Sequence, residues 1–346
     1  MSFLESYALE LELLSPVHVG TGEAYPAYAY VPDFSRKEVH LLDTSALLQA
    51  LSPERREAFL RRVAEGPKGA QEVLRSLYQE GRLPREAIQR TLPASTAFLR
   101  AIQDATQAAT LEYRPLPYTP SGPYLPGSSV KGALRTAWLY WRLVQRGEVV
   151  EWREGSWGWR KATSRDGNVH IKPPPKPSLF HNQTFEGAVL GYLGSKNRPN
   201  LYKDPFRAVR LTDSSPGEGF LNRIGVFHSK GAMEGIPILA ETFRKGSRFR
   251  LLFRYHRGLS QPRGVAGSVP PQELLRALRE YYGRVAEWEE AFAKDHGLGR
   301  ALEVYKELEE RLRDPNVFPI RVGFGSGRPS LRLALLLPED HPEAQE

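Results

Sequence analysis

The sequence predicts an α+β fold. Alternating segments of strand period stand near both ends of the chain, and long charged segments of helical period lie between and beside them. The two kinds mix without a regular βαβ repeat, and no period of 20 to 50 residues marks a solenoid.

The elements follow in order. Tyr7, Leu9, Leu11 and Leu13 fall on one face of a strand, with Glu10 and Glu12 on the other. Ser15-Pro16 stops it, and Val17-His18-Val19-Gly20-Thr21-Gly22 reads as a glycine-punctuated loop. Val39 to Leu42 is the expected partner strand. Asp43 or Thr44 then caps a helix through Leu51. From Pro53 to about Arg90 the pattern is helical and charged, with Phe59, Val63, Val73, Leu74 and Leu77 as its apolar positions, which predicts a helical insertion. Ser128 or Ser129 is the expected N-cap of a helix that packs through Val130, Leu134, Ala137 and Trp141. Residues 148–205 change character: Trp152, Trp157 and Trp159 stand among basic residues, and Lys172-Pro-Pro-Pro-Lys176 follows, as in a surface excursion. Phe206 to Thr212 and Arg248 to His256 read as strands. In the second, Phe249, Leu251, Phe253 and Tyr255 alternate with mostly basic neighbours, so one sheet face is basic. Helices are expected over 272–294 and 300–313, and a last strand over Leu331 to Leu337. The chain thus divides into 1–147 with a helical insertion at about 53–110, an excursion at 148–205, and 206–346.

With 346 residues the chain is long enough for two domains. Hydrophobic content of 40% and charged content of 25% fit a globular protein, and no apolar stretch is of membrane-spanning length. The N-terminal residues lack a secretory pattern, so a cytoplasmic location without membrane partners is expected. Absence of cysteine excludes disulfides and thiolate metal sites. Of 48 basic residues 36 are arginine and 12 lysine, with a net charge of +8. Guanidinium groups bind phosphates in bidentate fashion and stack on bases, so this bias fits nucleic acid, while heat adaptation would also produce it.

Tyr124-Leu-Pro-Gly-Ser-Ser-Val-Lys-Gly-Ala-Leu-Arg135 carries the chemistry most worth testing. A helix starting here would aim free N–H groups and the positive dipole end outward. Gly127 would admit an anion close to the backbone, and Lys131 and Arg135, four residues apart, share a face. A phosphate site and a plain helix start both fit. It is not a Walker A loop, since Gly132 follows Lys131 where Ser or Thr is required. Gly323-Phe-Gly-Ser-Gly327 matches neither the dinucleotide fingerprint nor the nucleophile elbow and reads as a backbone nest or a turn. The eight histidines are scattered without metal-ligand spacing, so neither metal nor cofactor is expected. His18 is the one histidine placed for acid–base work, with a packing role as its alternative. Asp33 and Asp213 read as caps or ion-pair partners.

Pro16 to Gly22, Tyr124 to Arg135, Asp204-Pro-Phe-Arg-Ala-Val-Arg-Leu-Thr-Asp213 and Arg321 to Gly327 resemble, in that order, the RAMP superfamily of CRISPR effector proteins. Within it the chain is most similar to the family of fifth subunits of type III-A Csm complexes. The resemblance implies two ferredoxin-like (RRM-like) modules with helical and loop insertions. It implies a non-catalytic subunit that caps the backbone filament near the 3′ part of a CRISPR guide RNA and supports guide maturation. Its partners would be the repeated backbone subunit, the small subunit and target RNA. By the same resemblance His18, Gly20, Gly22, Gly127, Ser128, Ser129, Lys131, Arg135, Gly323, Gly325 and Gly327 would meet RNA. Leu221 to Gly231 followed by Ile236 to Phe243 resembles a protruding thumb hairpin, with Arg223, His228 and Lys230 as its RNA contacts. No acid matches the aspartate with which the backbone subunit cuts RNA. The alternative is a metal-independent nuclease of the same superfamily, processing guide precursor with His18 as general base.

Overall fold

The computed structural model describes residues 3–105, 111–145, 149–153, 156–160, 183–194, 198–225, 238–260 and 264–326. In chain order the elements are β1 (Leu4–Glu12), β2 (Tyr30–Asp33), β3 (Glu38–Leu42), α1 (Thr44–Ala50), α2 (Pro53–Ala64), α3 (Pro67–Gln79), β4 (Ile88–Pro93) and α4 (Thr96–Gln103). They continue with β5 (Tyr113–Arg114), β6 (Tyr118–Thr119), β7 (Gly122–Pro123), α5 (Gly127–Gln145), β8 (Val149–Arg153), β9 (Ser156–Arg160), α6 (Gln183–Leu190) and β10 (Val209–Leu211). The last are β11 (Phe220–Ile224), β12 (Ile238–Thr242), β13 (Arg248–His256), α7 (Pro271–Asp295) and α8 (Gly299–Arg311). The class is α+β.

Two compact units interleave along the chain. One comprises residues 1–14, 125–215 and 248–346, the other 15–124 and 216–247. This differs from the linear division the composition implies, because strand pairing, not sequence proximity, decides which segments share a core.

In the first unit β13 is the central strand of an antiparallel sheet of order β1-β13-β10. Phe249, Leu251, Phe253 and Tyr255 are buried on one face, as their alternation predicts. The expected pairing of β1 with Val39–Leu42 is corrected: β1 pairs with β13 from Leu4↔His256 to Glu12↔Arg248. Helix α5 buries Val130, Ala133, Leu134, Ala137 and Trp138 in the same core as Leu274, Ala277, Leu278, Tyr281 and Tyr282 of α7. The Tyr140 and Tyr281 rings lie 4.9 Å apart, and the Tyr282 hydroxyl donates to the Ala133 carbonyl at 3.1 Å. Pro271 starts α7, where its missing N–H costs nothing. Within the expected excursion the structure forms the β8–β9 hairpin and α6. The expected strand over 206–212 is shorter, because a 3-10 turn at Pro205–Ala208 precedes β10.

In the second unit, β3 lies between β2 and β4. A second sheet has the order β11-β12-β5, with β12 and β5 parallel. Asp43 caps α1 by accepting from the N–H groups of Ser45 and Ala46. Ser52 and Ser95 do the same for α2 and α4. Phe59, Leu74 and Leu77 pack with Val31, Leu42 and Leu47. Tyr30, Phe98, Leu99, Ile102 and Tyr113 share another cluster. The helical reading of 53–90 holds to Gln79; beyond it Ile88–Pro93 is a strand, because its Val39-facing residue Leu92 joins a core that β3 also supplies. The stem of the expected hairpin is present as β11 and β12, paired from Phe220↔Thr242 to Ile224↔Ile238. Its tip, with His228 and Lys230, lies outside the described residues, as do Gly327 and the expected strand 331–337.

Candidate nucleic-acid interface

The first-turn glycine of α5 is explained by packing. A Cβ on Gly127 would collide with the Thr212 carbonyl oxygen. The Gly127 N–H donates to the Asp213 carboxylate at 2.9 Å, so the anion at this dipole end is supplied by the protein itself. Neither Ser128 nor Ser129 is the N-cap, since both lie inside a helix that begins at Gly127. The Pro126 carbonyl accepts from the N–H of Ser129 at 3.0 Å. Ser128 and Gly132, one turn apart, are exposed, while Ser129 and Lys131 are half-buried.

The two cations turn inward. Lys131 Nζ donates to the Val209 carbonyl at 2.8 Å, and burial lowers its pKa. Arg135 Nε donates to Glu186 at 2.7 Å, Nη1 to both Asp204 oxygens at 3.0 and 2.9 Å, and Nη2 to the Tyr192 hydroxyl at 3.0 Å. Its guanidinium also lies 5.2 Å from the Phe206 ring centroid. Burial works against the Arg135 charge, but Glu186 and Asp204 outweigh it and hold the pKa above its ordinary value. In the structure the expected pair of phosphate ligands forms a clamp: Gly127, Lys131 and Arg135 bind Asp213, Val209 and Asp204, which all belong to the Asp204–Asp213 motif. Asp213 is the cap its reading allows.

In the other unit, His18 is 4% exposed and its Nδ1 lies 2.7 Å from the Glu241 carbonyl oxygen. That partner requires a proton on Nδ1. Burial lowers the His18 pKa, against the pull of the carbonyl. With Val17 bridged to Phe243 through reciprocal N–H to carbonyl bonds of 3.1 and 2.8 Å, the loop is pinned to β12 at the base of the hairpin. Glu241 itself is fully buried and was not singled out from the sequence. It accepts from the Tyr118 hydroxyl and from the Leu116 N–H at 3.1 Å, with Arg90 3.9 Å away and stacked on the Tyr118 ring. Burial raises its pKa, and these donors oppose the rise. A Cβ on Gly219 would overlap this carboxylate, which is the signal a lone glycine in sequence does not display.

Gly20 and Gly22 are exposed, and Gly22 has φ of +89°. Arg223 is half-buried on β11, opposite Leu239. Gly323 and Gly325 have φ of +95° and +77°, making a turn in which Ser326 Oγ donates to the Gly323 carbonyl at 2.5 Å. Phe324 stands at this turn, 45% exposed. The expected basic sheet face is present: Arg248, Arg250 and Arg254 of β13 and Arg210 of β10 are exposed. Arg248 is paired with Glu12 at 3.0 Å. Arg210 and Arg254 stand directly opposite one another, and Glu10 faces Arg250 in register. No described carboxylate comes within 4.0 Å of Arg210, Arg250 or Arg254. Like charges directly opposite in a sheet are destabilising, so this face favours an anion. Among the described residues no group of His, Asp or Glu has metal-holding geometry, and no helix is long and apolar enough to cross a membrane.

A family described as the RAMP superfamily matches residues 10–329. No curated protein matches. The fold is similar to "Crystal structure of T.onnurineus Csm5", with a TM-score of 0.64 and 21% identity over 94% of this chain and 92% of that one. It is also similar to a chain of "Cryo-EM structure of Csm-crRNA-target RNA ternary complex in type III-A CRISPR-Cas system", with a TM-score of 0.64 and 20% identity over 95% of this chain and 88% of that one.

Proposed function

The chain belongs to the RAMP superfamily, and from that premise we propose that it is a non-catalytic RNA-binding subunit of a type III-A CRISPR complex. In this reading it holds the 3′ part of a guide RNA at the end of the backbone filament and supports guide maturation. The repeated backbone subunit, the small subunit and target RNA are its partners. Each compact unit is an elaborated ferredoxin-like module. Similarity along nearly the whole length of two Csm chains, one from a complex with guide and target RNA, supports the assembly.

The observation that carries RNA binding is the pair Arg210 and Arg254, with Arg250, which no described carboxylate neutralises, on the exposed face of the β1-β13-β10 sheet. Guanidinium groups there reach backbone phosphates from a rigid strand, and binding releases counterions. Ser128 and Gly132 on α5, Gly20 and Gly22, and the turn at Gly323 and Gly325 remain candidate backbone contacts. Lys131 and Arg135 act one step back, by holding the segment that carries Arg210.

The non-catalytic reading is supported by His18, whose ring is buried against the Glu241 carbonyl and disfavours the charged form. A general base must reach the proton it removes. The test is purification of the protein with its complex. A guide of defined length copurifies, and the isolated chain does not cleave guide precursor in EDTA. Cleavage that disappears in His18→Ala overturns the reading.

A further inference from the structure

The most exposed aromatic ring in either motif region belongs to Tyr202. It is 78% exposed, and its neighbour Leu201 is 55% exposed. A single exposed apolar side chain is ordinary, so exposure alone assigns nothing. What sets this ring apart is its mounting.

The Tyr202 N–H donates to Asn200 Oδ1 at 3.2 Å, fixing the start of the turn. Lys203 Nζ donates to the Gly264 carbonyl at 2.8 Å, and the Lys203 carbonyl accepts from the Ala266 N–H at 2.6 Å. Asp204 is held by Arg135 and by the Phe206 N–H, while Pro205 and Phe206 are buried. The clamp built by the two motifs thus anchors the turn on which Tyr202 stands. Arg207 completes it: Nη1 donates to the Tyr202 carbonyl at 2.7 Å, and its guanidinium lies 5.5 Å from the Tyr202 ring centroid. The backbone that carries the ring is therefore fixed and a cation lies beside the ring, which leaves most of its surface in water.

We infer that Tyr202, supported by Arg207, is a stacking platform for one unpaired base of single-stranded RNA. An aromatic side chain with two torsions on a backbone fixed before binding loses little entropy when a base stacks on it, and every base offers a π-face. Arg207 is itself exposed and adds a cation beside the stack. Lys203 and Arg207 lie in the turn and Arg210 follows it on β10, and the turn's one acid, Asp204, is neutralised by Arg135. This local charge favours RNA over a basic protein surface. The inference rests on the RNA-binding reading and adds a base contact to its phosphate contacts.

The experiment titrates the full-length chain with a single-stranded RNA oligonucleotide carrying 2-aminopurine at alternating positions, at two salt concentrations. Wild type binds with salt-dependent affinity and changes the probe's fluorescence. Tyr202→Ala is expected to lose most of that change and to weaken binding about 5- to 100-fold. The salt slope stays unaltered, since no phosphate contact is removed, and Tyr202→Phe keeps both signals. Wild-type binding with an unaffected Tyr202→Ala variant overturns the platform and leaves the RNA reading standing. Wild type that binds no RNA overturns both. Normal RNA binding by Tyr202→Ala with loss of copurifying subunits assigns the ring to a protein contact and also overturns the platform.

Discussion

Arg135 shows how a motif residue can be committed to its own fold. Its guanidinium neutralises two carboxylates, Glu186 and Asp204, that are only 15% and 17% exposed in their side chains. Arg135→Ala is expected to destabilise the protein by about 3 kcal/mol in urea unfolding, because two partly buried charges lose their partner. Arg135→Lys should recover only part of this, since an ammonium cannot reproduce the planar fork. Gly127→Ala should cost about 1 to 3 kcal/mol by forcing α5 away from Thr212. A different residue governs acid stability. Asp33 accepts from Ser35, the Arg36 N–H and Tyr78, and although burial opposes ionisation these bonds bring its pKa down to about 2. Tyr78 also contacts His40 Nε2 at 3.0 Å, and burial lowers the His40 pKa. The Asp33 contribution is complete above its unfolded value of 3.8 and is lost as pH falls through about 2. The depressed pKa values of His18 and His40 act earlier: stability declines as pH drops below their unfolded value of 6.5. Thermal melts of wild type and Asp33→Asn between pH 2 and 7 check this, the variant lacking the lower transition.

At the scale of the element, the central strand β13 is the feature to perturb. Replacing Arg250 and Arg254 by alanine should leave the melting temperature nearly unchanged, because neither is ion-paired with a described residue. The slope of log affinity for single-stranded RNA against log salt should fall by about 1.4. An anisotropy titration at several salt concentrations measures it. Both this strand and its basic face were legible in sequence, since a period of two survives wherever one face is buried and the other is wet. Helices α1, α7 and α8 were legible for a similar reason: the Asp43 cap, Pro271 and the spacing of Leu274, Leu278, Tyr281 and Tyr282 are local signals. Strand β4 was not, because Ile88 to Pro93 follows a charged helical run and takes its state from pairing with β3. The motif at 124–135 was legible as a helix start with two cations on one face, but the partners of those cations were not. Nothing near Lys131 in sequence announces the Val209 carbonyl, 78 residues away.

At the scale of the whole molecule, the chain passes between its two units at residues 14/15, 124/125, 215/216 and 247/248. A fragment of residues 1–147 contains β1 and α5 but lacks β13 and α7, so it should fail to fold, with no near-ultraviolet circular dichroism signal of packed tyrosines and tryptophans. The partners of β1 lie about 244 residues later in sequence. On a ribosome adding about 5 to 20 residues per second, that strand emerges first and then waits roughly 12 to 50 s for its complement. The second unit waits too, since β11 and β12 are synthesised after a long detour through the first. Throughout this interval a nascent chain displays an unpaired edge of alternating Leu and Glu residues, open to misplaced strands. The acidic side chains Glu5, Glu10 and Glu12 along β1 have a use before the native sheet exists: they keep the waiting strand in water and repel other copies of itself until the arginine-rich β13 arrives.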